Sequence, residues 1–131
     1  MSDFSLDTVI IGAGVVGLTI GEKLSSIGKE ILILEAEDDF GKITSSRNSG
    51  VIHAGIYYNE KSLKSKLCVR GNILLYNYCK KNHIEHINTK KILVASTEKQ
   101  ISVIDKIKYQ AEKNGVRNIE KITKKKVNDL E

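Results

Sequence analysis

Three glycines, Gly12, Gly14 and Gly17, stand between two short apolar runs, Val9 to Ile11 and Ile31 to Leu34. No other feature of the chain constrains its fold as much. The G-x-G-x-x-G spacing closes a strand and opens a helix. The first glycine allows the tight turn, the second lets the backbone approach phosphate oxygens, and the third lets helix and strand pack closely. Behind the glycines, Val16, Ile20, Leu24 and Ile27 recur at helical spacing, and Gly28 stands where a helix C-cap belongs. The second run ends in Glu35, an acid at the distance expected for a partner of an adenosine ribose. Asp7 to Glu35 therefore predicts one βαβ unit with a dinucleotide site, its pyrophosphate facing unpaired N–H donors and partial positive charge at the helix N-terminus. The glycine spacing alone would also fit an ordinary turn in an unrelated α/β protein, so the flanking periodicity carries the reading. A carboxylate at Glu35 accepts ribose hydroxyls and repels a 2′-phosphate, which disfavours NADP.

With 131 residues, 40% hydrophobic and 28% charged, the chain has the length of one ordinary domain and a globular composition. Its net charge of +5 raises the question of nucleic acid. The lysines are scattered, apart from Lys124 to Lys126, and few aromatics lie among them, so a solvated basic surface and no nucleic-acid partner are expected. The start, MSDFSLD, carries acids and no basic residue. That excludes the pattern of a signal or Arg-rich transit peptide there and makes a cytoplasmic location the expectation. Cys68 and Cys79 fall on one predicted helix, roughly 16 Å apart, too far for a disulfide. No metal-ligand spacing surrounds them, and no metal site is expected.

From Ala36 to Tyr58 runs a polar, glycine-dotted segment longer than a simple connection needs. Thr44, Ser45, Ser46, Arg47, Asn48 and Ser49 place short hydrogen-bonding side chains around one guanidinium, suited to phosphate contact or to a surface ion pair. Gly50 and Gly55 bracket Val51-Ile52-His53-Ala54, where backbone can come close to a flat ligand. A helix is predicted over Ser62 to Asn82. Leu63, Leu67, Leu74 and Tyr78 lie on one stripe and Cys68, Leu75 and Cys79 on the next, so it is expected to be well buried. Lys91 to Ala95 reads as a strand. Thr97 and Gln100 form a capping box for a helix to Asn114, with Ile101, Ile104, Ile107 and Ala111 inward and Gly115 as its stop. Ile119 to Ile122 reads as a short strand and Thr123 as the cap of a further helix. His83 and His86 are expected in a solvated loop, and Tyr57 and Tyr58 fit either substrate contact or core.

The segments SRNSGVIHAGIYY (Ser46 to Tyr58) and SLKSKLCVRGNILLYNYC (Ser62 to Cys79), added to the glycine motif, resemble the N-terminal portion of the glycine/D-amino-acid oxidase group of FAD-dependent oxidoreductases. The likeness is strongest to the branch acting on L-2-hydroxyglutarate, and it extends over the whole chain, about the first third of a two-domain member. The resemblance implies an α/β fold class: a Rossmann-like FAD-binding βαβ unit with the start of a second α+β substrate domain, incomplete. Residues 1–82 would be the N-terminal part of the FAD-binding domain and 83–131 the beginning of the substrate-binding domain. FAD would be held by Gly12, Gly14, Gly17 and Glu35, with Ser46, Arg47, Asn48 and Ser49 along the pyrophosphate and flavin. His53 would lie near the isoalloxazine ring, as catalytic base or as an orienting group.

The implied reaction is oxidation of L-2-hydroxyglutarate to 2-oxoglutarate. A base takes the hydroxyl proton while hydride leaves for flavin N5, and an external acceptor, quinone or oxygen, reoxidises the flavin. The implied partners are thus a small 2-hydroxy acid and that acceptor, with peripheral membrane association of the whole enzyme also open. With no cysteine between Glu35 and Cys68, a noncovalent flavin is expected. A dicarboxylate calls for arginines, and only Arg47, Arg70 and Arg117 are present, none convincingly in a substrate pocket. Relatives oxidising amines, amino acids or glycerol phosphate, and a noncatalytic nucleotide-binding fragment, are the alternatives. An NAD-linked dehydrogenase leaves SRNSGVIHAG unexplained.

Overall fold

The computed structural model describes residues 5–130, so most of the MSDFSLD start, on which the leader expectation rested, lies outside it. The chain forms two compact units, one through Val51 and one from Ile52 onward.

In the first unit, strand β1 (Thr8–Ile11) leads into helix α1 (Val15–Ser25) and back to strand β2 (Ile31–Leu34). The strands pair in parallel, Thr8 opposite Ile31 and Ile11 opposite Leu34, which makes the predicted βαβ crossover. Alternation sends Ile10, Ile31 and Ile33 toward α1, where their methyls come within about 3.5 Å of where a Cβ on Gly17 or Gly21 would stand. The helix thus packs through Gly17 and Gly21, not through the apolar stripe read from its periodicity. Of that stripe only Leu24 is partly covered, while Val16 is 69% exposed and Ile20 and Ile27 are open. Glycine spacing lets the backbones approach, which turns the bulkier side chains outward. The helix ends as its sequence predicts: Gly28, at φ +80°, donates to the Ser25 carbonyl and Lys29 to that of Leu24. On the opposite sheet face Val9, Ile11, Leu32 and Leu34 are exposed, Ile11 to 88%.

In the second unit, helix α2 (Leu63–Lys81) has the predicted limits, with the Ser62 side chain accepting from the Ser65 N–H. Its covered face is Ser65, Val69, Asn72, Tyr76 and Cys79. The expected burial of the leucine stripe is corrected: Leu63 and Leu67 are 75% and 62% exposed, and Leu74, Leu75 and Tyr78 are open too. A periodic stripe identifies a face that wants cover, and no described element lies against it. Both cysteines are free, and Cys79 is buried. Helix α3 (Glu98–Lys113) carries the full capping box of Thr97 and Gln100. Ile104, Ile107 and Ala111 face inward as expected, whereas Ile101 is exposed. The short helix α4 (Lys124–Asn128) starts at Thr123, whose hydroxyl accepts from the Lys126 N–H. The strands expected over Lys91 to Ala95 and Ile119 to Ile122 do not form: no described strand offers either segment a hydrogen-bonding edge.

Between α2 and the end of α3 runs the loop 53–58. The Asn72 amide and the Cys68 thiol donate to the His53 carbonyl at 3.2 and 3.7 Å. From the other side the Asn114 amide donates to the carbonyls of Gly55 and Tyr58 at 3.1 and 2.7 Å. Gly55, at φ +88°, is buried so tightly that a Cβ there would stand 2.9 Å from Val69 Cγ2.

Candidate functional site

The first unit gathers Gly12, Gly14, Gly17 and Glu35 around one corner. Gly12 makes the turn at φ +101°, a conformation that L side chains rarely adopt. Its N–H donates to the Leu34 carbonyl at 2.7 Å, tying the end of β1 to β2. A Cβ on Gly17 would stand only 2.0 Å from the Gly12 carbonyl oxygen, so the third glycine is required sterically. Gly14 caps α1 without any side-chain bond. The consequence for chemistry lies in the donors: the N–H groups of Gly14, Val16 and Gly17 bond to no other described residue. Together with the helix macrodipole they form a receptor for an anion, with no Cβ at Gly14 to block approach. The corner therefore fits the diphosphate of a dinucleotide.

Glu35 follows β2 and reaches back to this turn. Its Oε2 accepts from the Ala13 N–H at 2.7 Å, and its Oε1 accepts from Ala36 and Glu37 at 2.8 and 3.1 Å. These three bonds, Glu37 first, then Ala13 and Ala36, hold the carboxyl below the usual glutamate range, so it is an anion at neutral pH.

The polar segment contributes a residue that the pyrophosphate set of Ser46 to Ser49 passes over. Ser45, in a single 3-10 turn over Thr44–Ser46, accepts from the Val15 N–H at 2.8 Å and so caps α1 from thirty residues away. The signal for it was the helix start: a glycine cap leaves donors that need an outside acceptor. Gly41 strengthens the same contact, its N–H donating to the Ala13 carbonyl. Among the predicted residues, Ser46 turns its hydroxyl to the carbonyls of Lys42 and Ile43. Asn48 folds the loop through the Ser45 carbonyl and the Gly50 N–H. Arg47 and Ser49 are exposed, and Arg47 makes no ion pair among the described residues.

His53 belongs to the second unit, on the loop held by Asn72 and Asn114, with its side chain exposed. On the same loop Lys91 lies over the exposed ring of Tyr57 and Lys64 over the half-buried Tyr58, at 5.0 and 4.6 Å from the ring centroids. His83 and His86 are exposed; His86 Nδ1 lies 2.7 Å from the Ile84 carbonyl and its ring against Tyr76.

Comparison with known proteins agrees with the geometry. Residues 7–131 match the family model described as FAD dependent oxidoreductase. The chain is 49% identical over 114 residues to L-2-hydroxyglutarate dehydrogenase, mitochondrial, of Arabidopsis thaliana, covering 87% of this chain and 24% of that one. With the Dictyostelium discoideum protein of the same name it shares 40% over 121 residues, 91% of this chain and 27% of that one. With the Homo sapiens protein it shares 38% over 136 residues, 99% and 28%. The chain thus spans about a quarter of the length of the curated relatives it matches. The word mitochondrial in these names overturns the expectation of a cytoplasmic location. That expectation rested on the first few residues, which in a stretch this short are no guide to compartment.

Proposed function

This chain belongs to the family of FAD-dependent oxidoreductases, and from that premise we propose that it is the flavin-gripping part of an enzyme that oxidises L-2-hydroxyglutarate to 2-oxoglutarate. The observation that carries the reading is the corner in which free N–H donors at the start of α1 and the Glu35 carboxylate meet within one βαβ unit. The names of the relatives supply the substrate. In this proposal Gly12, Gly14 and Gly17 shape the diphosphate seat, Glu35 meets the adenosine ribose, and Ser46, Arg47, Asn48 and Ser49 border the pyrophosphate and flavin. Bound FAD supplies a hydride-accepting ring nitrogen, N5. His53 takes or orients the substrate hydroxyl proton, and its loop is suited to that task because its carbonyls are fixed from two helices.

The domain assignment follows the family: 1–82 within the FAD-binding domain and 83–131 opening the substrate-binding domain. A quinone or oxygen serves as final acceptor, and the location proposed is mitochondrial, with peripheral attachment to a membrane. No helix among the described residues is long and apolar enough to cross one. Residues 1–131 alone are inactive in this proposal, since the arginines that a dicarboxylate requires are not gathered here.

The test is the product of the complete gene, purified natively. It should be yellow, and anaerobic L-2-hydroxyglutarate should bleach it, while amines, amino acids and glycerol 3-phosphate should not. A colourless protein that stays so with added FAD overturns the cofactor reading. Bleaching by one of the other substrates instead overturns the hydroxyglutarate assignment alone.

A further inference from the structure

We propose that Glu35 is a positioning residue for the phosphate seat, holding the Gly12–Val15 backbone in its receiving shape independently of any contact with the ribose. This rests on the reading that FAD binds at this corner. Three successive peptide groups from Ile11 to Gly14 are fixed, one bond each, by the end of β2 with its following residue and by Gly41. The Gly12 N–H is held by Leu34 of β2, the Ala13 carbonyl by Gly41, and the Ala13 N–H by Glu35. Only the last comes from a side chain, and it is an ionised acceptor at 2.7 Å. Ala13 itself is buried, at 7% exposure, so losing that charged acceptor leaves an N–H at a largely covered residue without its partner.

Turning the Ala13 N–H inward onto Glu35 leaves the outward donors to Gly14, Val16 and Gly17, the groups an anion would meet. Were the Ala13 N–H released, the Gly12–Ala13 peptide could rotate, and the next peptide, which bears the Gly14 N–H, would keep its direction through the Gly41 bond to the Ala13 carbonyl alone. The acceptor count adds a second consequence. A carboxylate offers about four lone-pair sites, and three are engaged by backbone. One is left, so Glu35 receives a single ribose hydroxyl unless it gives up part of the turn.

Glutamine at this position keeps the length but presents an NH2 group to one side of that donor set. The experiment is a titration of the flavin-free complete protein and its Glu35→Gln variant with FAD and with an FAD analogue lacking both adenosine ribose hydroxyls. If Glu35 shapes the seat, the variant loses roughly tenfold or more in affinity for both ligands. If the variant loses affinity for FAD but binds the dideoxy analogue as well as wild type does, the proposal is overturned and Glu35 is a ribose ligand only. A wild-type protein that binds neither ligand overturns the underlying FAD reading and this inference with it. Amide exchange in the flavin-free proteins gives a readout without ligand. The Ala13 amide should be protected in wild type and exchange at least tenfold faster in Glu35→Gln, with Ile10 of β1 unchanged as evidence that the unit stays folded. Equal Ala13 exchange in both overturns the proposal.

Discussion

Replacing Gly17 by alanine is the most severe small change that the structure identifies. The added methyl would stand 2.0 Å from the Gly12 carbonyl oxygen, 3.2 Å from its carbon and 3.3 Å from Ile10 Cγ2. Ordinary contact lies beyond 3.4 Å, so helix and turn must separate by more than about 1 Å, and a backbone carbonyl cannot rotate aside as a side chain would. Overpacking of this kind costs on the order of 3 kcal/mol. Because the shift moves the N–H groups of Gly14 and Val16, FAD affinity should fall by about a hundredfold in parallel. Thermal unfolding and flavin titration of the complete protein measure both. Gly71→Ala is the control: nothing lies within 4 Å of the new methyl in the middle of α2, so it should stabilise by roughly 0.5–1 kcal/mol. A Gly17→Ala protein that melts with wild type and binds FAD within twofold of it would refute the packing argument.

Three further outcomes are expected. The Glu35 carboxyl lies below its usual range because of the N–H groups of Glu37, Ala13 and Ala36, and that of Asp7 because of the Glu30 N–H and then Lys29. Their stabilising contribution is thus complete above the unfolded values, near about 4.3 for Glu and 3.9 for Asp, and is lost as pH falls through the lower folded values. Melting curves from pH 7 to 3 should show this acid loss in wild type and a shallower one in a Glu35→Gln, Asp7→Asn double variant. Asn114→Ala removes the amide that holds Gly55 and Tyr58, which should cost roughly 1–3 kcal/mol in denaturant titrations and speed amide exchange across 53–58. Ser45→Ala leaves the Val15 N–H without its acceptor, with an expected loss of about 1 kcal/mol, typical of a helix cap.

How far the sequence discloses this chain depends on the range of the interaction. Strand–turn–helix at Thr8 to Ser25, the caps at Ser62, Thr97 and Thr123 and the left-handed stops at Gly28 and Gly115 are local, set within a few residues, and they stand where the spacing put them. Contacts over thirty residues or more were not legible in that way. Ser45 caps α1 and Asn114 pins the 53–58 loop, yet either residue type is at home in any surface turn. Strand end and acid mark Glu35 as a candidate ribose partner, whereas its bond to Ala13 needed coordinates.

Periodicity misled in one consistent direction. It marked Leu63, Leu67 and Leu74 of α2 and Ile101 of α3 for cover, and each is open. Such patterning records what a side chain requires and is silent about which segment supplies it. The same distinction accounts for the missing strands. Lys91 to Ala95 has strand composition, but a strand also needs a neighbour's edge, and the described sheet ends with β1 and β2. Open apolar faces on the sheet and on two helices, with unpaired strand-like segments, fit a stretch spanning about a quarter of its relatives' length. The glycine turn with its Glu35 and Ser45 bonds forms despite this because each of these groups, from Gly12 to Ser45, comes from one continuous run of chain.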